Sequence, residues 1–197
     1  SQDNLSLGTY TLTYTKSGFH DVSMSAALAT DNQTVTANVT LLANTCEAGT
    51  VSGKITDAVT GANVNNVSIN VRSGLSVTSG STTGTTATTA TNGTYTLSSM
   101  SAGGYTVQAS KSGYISTFNT VYVCGNLTNQ DASMSEELSS GNMRIVLSWP
   151  TGSTAGDLDS HLSIPNSAGN GTVHIYYGTN AAPTPDHYIY GANDNVT

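Results

Sequence analysis

The chain has 197 residues, room for one or two ordinary domains or a stretch of a longer array. Charged residues are only 9% and the net charge is -7. That excludes a nucleic-acid binder, which needs a basic face for phosphate, and a polybasic membrane-surface protein. No apolar run approaches the ~20 residues of a membrane span. The opening residues, Ser1-Gln2-Asp3-Asn4, are not a secretory leader, so we expect a removed leader or a piece of a longer polypeptide. Ser and Thr outnumber charged residues roughly threefold, which describes an uncharged, hydroxyl-rich surface of extracellular type.

In chain order, the apolar period is two. Tyr10, Leu12 and Tyr14 alternate with threonines. Asp21 to Thr30 comes nearest to a helical stripe, without making one. Val51, Gly53 and Ile55 form the next alternating face, followed by Val67, Ile69 and Val71. Residues 73–91 are a Thr-rich, low-complexity stretch without large side chains, expected to be a long loop that buries nothing and suits O-glycosylation or plain flexibility. Tyr95 and Leu97 come next, then Tyr105, Val107 and Ala109, then Met143 to Trp149, then Val173, Ile175 and Tyr177. The runs are short, rich in β-branched and aromatic residues, and bounded by Gly, Asn, Asp or Ser. The expected fold class is all-β, built of tandem antiparallel sandwich modules of immunoglobulin-like or transthyretin-like type.

An internal repeat organises the chain. Gly8 to Phe19 aligns without gaps on Gly103 to Tyr114, with Gly8/Gly103, Tyr10/Tyr105, Thr11/Thr106, Lys16/Lys111, Ser17/Ser112 and Gly18/Gly113 identical. The spacing is that of one sandwich domain, and such spacing means an array. It predicts a C-terminal half-module at 1–45, a complete module at 46–138, and a third β-domain at 139–197 that is incomplete at its end. Leu5 to Leu42 is expected to form three strands with one apolar face. Three strands cannot close a sandwich core alone, and their open edges invite pairing. Either upstream residues of the same polypeptide or strands from a neighbouring subunit would complete them.

Residues 50–71, TVSGKITDAVTGANVNNVSINV, the turn Asn92-Gly93 and GGYTVQASKSGY at 103–114 resemble the carboxypeptidase regulatory-like domains, which are transthyretin-like sandwiches of seven strands. The resemblance implies an accessory module of secreted proteins. Residues 143–177, with the Asp-Leu-Asp-Ser-His-Leu segment, resemble a different bacterial extracellular β-domain.

Cys46 and Cys124 are an even count in an extracellular-looking chain, read as a disulfide, with two buried thiols as the alternative. Asp157, Asp159 and His161 alternate on one strand face, which could hold Ca²⁺ through neighbouring pairs or be a solvated polar face. Eight Asn-x-Ser/Thr sequons make glycosylation possible, close to what this composition gives by chance. No GxSxG, HExxH or His-x-x-Glu spacing supports catalysis. Two functions follow. The first is a non-enzymatic, secreted structural or adhesive protein, a cell-surface stalk or a filament subunit sharing strands with copies of itself. The second is a ligand- or glycan-binding accessory region of a larger secreted hydrolase.

Overall fold

The computed structural model describes residues 5–140, 162–165 and 172–175. The chain divides into two compact units, Ser1–Asn142 and Met143–Thr197. Every element among the described residues is a strand.

The first unit opens with an antiparallel hairpin, β1 (Gly8–Tyr14) and β2 (Val22–Leu28). The segment nearest to a helical stripe is therefore a strand; its register sets Met24 beside Leu12 and Ala26 beside Tyr10. The expected third strand is not formed: residues 33–42 are irregular. Their only ladder contacts come from the isolated bridge between Phe19 and Ala43 just beyond, among the described residues.

Seven strands follow. β3 (Gly49–Asp57), β4 (Ser68–Ser73), β5 (Thr86–Thr88), β6 (Thr94–Met100), β7 (Gly103–Ser110), β8 (Thr117–Val123) and β9 (Ala132–Met134) make two sheets. One sheet has the order β6-β3-β9 and the other β5-β4-β7-β8. All ladders are antiparallel except β3 with β9, which is parallel. The parallel pair sets the last strand beside the end of β3, Met134 next to Asp57, so the chain enters the module at one end of β3 and leaves at the other.

Alternation sends one side chain in two into the space between the sheets. Val51, Ile55, Ile69, Val71, Leu97 and Val123 are buried at 1% exposure or less and share one core cluster. Two glycines let the backbones close on that core. A Cβ on Gly49 would strike the Gly125 carbonyl, and one on Gly53 would strike the Gln130 carbonyl. At these positions β3 touches the segment between β8 and β9 backbone to backbone.

The Thr-rich stretch departs from expectation in two ways. It contains β5, and it does bury side chains. Thr89 is 3% exposed; its hydroxyl donates to the Val64 carbonyl at 2.8 Å and accepts the Val67 amide at 2.9 Å. Leu75 is 2% exposed. A small polar side chain can be buried when both its donor and acceptor roles are filled, which composition alone does not reveal.

In the second unit, β10 (Leu162–Pro165) and β11 (Thr172–Ile175) form an antiparallel pair with Leu162 beside Ile175.

These burials separate two leucines. Leu97→Ala removes a fully buried side chain and is expected to cost about 2–5 kcal/mol in equilibrium denaturation. Leu12→Ala, on the half-exposed face of β1, should cost under about 1 kcal/mol in the same measurement.

Candidate strand-acceptor site

The repeat is reproduced in three dimensions. Gly18 and Gly113 take φ of 82° and 81°, a left-handed turn conformation that favours glycine. In both turns a lysine ammonium caps the ring that follows: Lys16 lies 4.7 Å from the Phe19 centroid and Lys111 5.6 Å from that of Tyr114. Tyr10 donates its hydroxyl to the Ser6 carbonyl, and Tyr105 does the same to Ser101. β1 thus corresponds to β7 and β2 to β8.

The correspondence continues beyond β2, after a loop two residues longer in the first copy. The His20 amide donates to the Leu42 carbonyl at 2.8 Å, as Ile115 does to Ser135. The Asn44 amide donates to the Gly18 carbonyl at 3.0 Å, as Glu137 does to Gly113 at 2.9 Å. Val39, Thr40 and Leu41 therefore stand where Ala132, Ser133 and Met134 form β9. In the second copy β9 is paired to β3. In the first copy no described strand lies beside residues 39–41 or along the outer edge of β1. Among the described residues, nothing beside the first copy corresponds to β3, β4, β5 and β6.

The consequence shows in burial. Tyr105, Val107, Ala109, Val121 and Val123 face the closed core or its margin. Their counterparts Tyr10, Leu12, Tyr14, Ala26 and Leu28 are all half-exposed. The face is apolar and uncharged, with water on the side where the other half-module would pack. Tyr14 alone reaches across it: its hydroxyl donates to the Ala37 carbonyl at 2.8 Å.

One end of the face is closed by the next module. Val22 is 1% exposed. A Cβ on Gly104 of β7 would press on both Leu75 and Val22. The Leu75 amide donates to the Ser23 carbonyl at 2.8 Å, and the Ser25 amide donates to the Leu75 carbonyl at 2.9 Å. One residue of the second module thus adds, in parallel, to the free edge of β2. The loop is held there by Thr106, whose hydroxyl donates to the Gly74 carbonyl at 2.8 Å and accepts the Val77 amide at 3.0 Å. Tyr122 accepts the Thr40 amide at 3.2 Å and adds a second tie.

Cys46 and Cys124 are joined, with Cα atoms 4.6 Å apart. The Gly125 amide donates to the Glu47 carbonyl beside the bridge, so the chain entering the module is fastened to the end of β8. Nearby polar groups serve the fold. Asp57, 7% exposed, accepts from the Val59 and Thr60 amides and the Thr60 hydroxyl, which builds the turn after β3. Tyr114 is held above the usual phenol pKa by desolvation, then by the carboxylates of Asp57 and Glu136. Tyr95 of β6 donates its hydroxyl to the Gln130 carbonyl at 2.7 Å. Burial and, secondarily, Asp131 push its pKa from 10.0 up to about 12.

Asp157, Asp159 and His161 lie outside the described residues. Among the described residues, no group of three metal-ligating side chains forms and no helix is long and apolar enough to cross a membrane. Sequence reasoning missed Leu75 and Tyr14. Leu75 is the one large apolar residue between Ser73 and Val77, and Tyr14 is the position where the repeat replaces Ala109 by a phenol.

Residues 50–135 match the model of the carboxypeptidase regulatory-like domain family. No match was found among curated proteins. Among solved structures, the chain is similar to a streptococcal ancillary pilin at 19% identity, covering 68% of this chain and 43% of that one, with a TM-score of 0.36. It is similar to the minor pilin of Streptococcus agalactiae at 13% identity, covering 73% of this chain and 66% of that one, TM-score 0.35. A cohesin–X-dockerin complex from Acetivibrio cellulolyticus matches at 24% identity over 45% of this chain and 58% of that one, TM-score 0.31. The chain thus spans between two fifths and two thirds of the length of these structures.

Two outcomes follow. Replacing both Cys46 and Cys124 by Ser should cost about 4 kcal/mol, the loop-closure entropy of a bridge across 78 residues, read from denaturation midpoints with and without reductant. The Tyr95 phenol binds its proton more tightly folded than unfolded. Its stabilisation is therefore complete below pH 10 and is lost as pH rises from 10 towards 12. Denaturation midpoints measured between pH 9 and 12 should fall more steeply for the native protein than for Tyr95→Phe.

Proposed function

We propose that this chain is a non-enzymatic structural or adhesive protein of the cell exterior, made of tandem β-sandwich modules. It serves as a surface stalk or filament subunit, and strands supplied by a neighbour complete its first module. The observation that carries this reading is the half-module itself. β1, β2 and residues 37–44 repeat the ladder, the turn and the return-segment backbone bonds of β7, β8 and residues 130–137, while nothing among the described residues plays the part of β3 to β6. An apolar face lined by Tyr10, Leu12, Met24 and Leu28 gains stability only when covered.

The rest of the molecule supports a mechanical role. A disulfide, an uncharged hydroxyl-rich surface and a module junction made by strand addition all suit a chain that must hold together outside the cell. The mode of assembly is β-augmentation, in which main-chain hydrogen bonds give adhesion and alternate side-chain pockets give selectivity.

Hydrogen exchange tests the reading. Amides of Val39, Leu41 and the outer edge of β1 should exchange fast in the isolated chain, whereas Thr40 is already bonded to Tyr122. They should slow by at least tenfold in the native assembly. Equal rates in both preparations would remove the proposal.

A further inference from the structure

The two copies of the repeat solve one packing problem in opposite ways. In the complete module the Tyr95 phenol comes from β6, spans its cross-strand neighbour Gly53 on the same sheet and donates to the Gln130 carbonyl at 2.7 Å. The β7 position that shares this core is Ala109, 3% exposed, which leaves room for the ring. In the half-module the counterpart of Gln130 is Ala37, and the counterpart of Ala109 is Tyr14. The Tyr14 hydroxyl donates to the Ala37 carbonyl at 2.8 Å. Each carbonyl is therefore held by a tyrosine, but the tyrosine sits on the opposite sheet.

Resting on the strand-completion reading above, we infer that Tyr14 is the specificity-determining residue of the acceptor cleft. The occupant is an opening half-module, with strands of the β3 to β6 type, that carries a small side chain where β6 carries Tyr95. Facing positions in a close-packed core alternate large and small. Two phenols aimed at one carbonyl across one sandwich overfill it, and overpacking of this kind forces side chains and backbone apart. The same conflict excludes a second copy of this chain as the donor of residues 49–100, because that copy brings Tyr95 with it. Swapping also gains nothing by area: a copy that covers this cleft uncovers its own β7 and β8. Tyr14 thus keeps the carbonyl satisfied while the cleft is open and rejects self-completion.

The repeat supplies its own test, since Ser1 stands in register with Thr96. A second copy of residues 46–95 is placed directly before Ser1 of the full chain. In one version its final residue remains Tyr; in the other that residue alone carries Tyr95→Ala. Hydrogen exchange at Val39 and Leu41 is the readout. The alanine version should slow exchange at least tenfold over the unextended chain, and the tyrosine version should not. Adding Tyr14→Ala to the tyrosine version should restore the protection. Equal protection by both versions overturns the role of Tyr14 and leaves completion standing. No protection by either, or by the Tyr14→Ala rescue, overturns completion itself. Self-association of the unextended chain that protects Val39 and Leu41 at rising concentration overturns the exclusion of copies.

Discussion

A β-sandwich is stable because each sheet covers the apolar face of the other, and everything in this molecule follows from how far that condition is met. In the complete module it is met by strand order. β3 lies between β6 and β9, so its inward residues Val51 and Ile55 face the centre of β5-β4-β7-β8. Gly49 and Gly53 bring β3 against the returning backbone near Gly125 and Gln130, where any side chain would hold the layers apart. The disulfide acts on the same crossing, from the outside. The half-module has the same hairpin, the same turn and the same return segment, but only one layer. Its inner side chains remain half-exposed although their chemistry is that of core residues.

The junction between the two copies shows how the molecule limits that exposure. Leu75 does what a full strand would do, for the length of one residue. It exchanges two backbone hydrogen bonds with Ser23 and Ser25 and seals Val22 against Gly104. Such a contact costs little sequence, because the loop's position is fixed from behind by the buried hydroxyl of Thr106. It also leaves the rest of the cleft accessible, since Leu12, Met24 and Leu28 stay half-exposed. The junction orders the half-module without filling it.

Much of this was legible in the sequence. Period-two patterning gave the strands, and the identities from Gly8/Gly103 to Gly18/Gly113 gave the repeat. The pairing of Cys46 with Cys124 was legible from their even count and placement. Three things were not. A third strand was expected within Leu5 to Leu42, but residues 33–42 are irregular; a strand needs a partner, and the partner of the corresponding β9 is β3. The burial of Leu75 and Thr89 was hidden because loop composition does not say which hydroxyls will find both a donor and an acceptor. The exchange of Ala109 for Tyr14 was visible in the alignment, yet its meaning depended on knowing that Tyr95 reaches Gln130 across β3, on the sheet that faces Ala109. Sequence states periodicity; which carbonyl a phenol meets is a fact of the third dimension.

The two copies also differ in what fastens them. Cys124 follows β8, and the residue after β2 at the same place is Ala29. A half-module docked on β1 and β2 would therefore be held by hydrogen bonds and packing, without the bridge that ties β8 to the segment before β3. The complete module is closed by entropy removed from its unfolded chain. The open one can only be closed by contact area and ladder pairing. Such an association rises and falls with the concentration and fit of the incoming strands, and fit is then the property on which selection acts. A phenol lodged in the cleft is an economical way to set it. On the proposed reading, its hydroxyl is already bonded in the free protein, and it would add a steric penalty against partners shaped like the protein's own opening half.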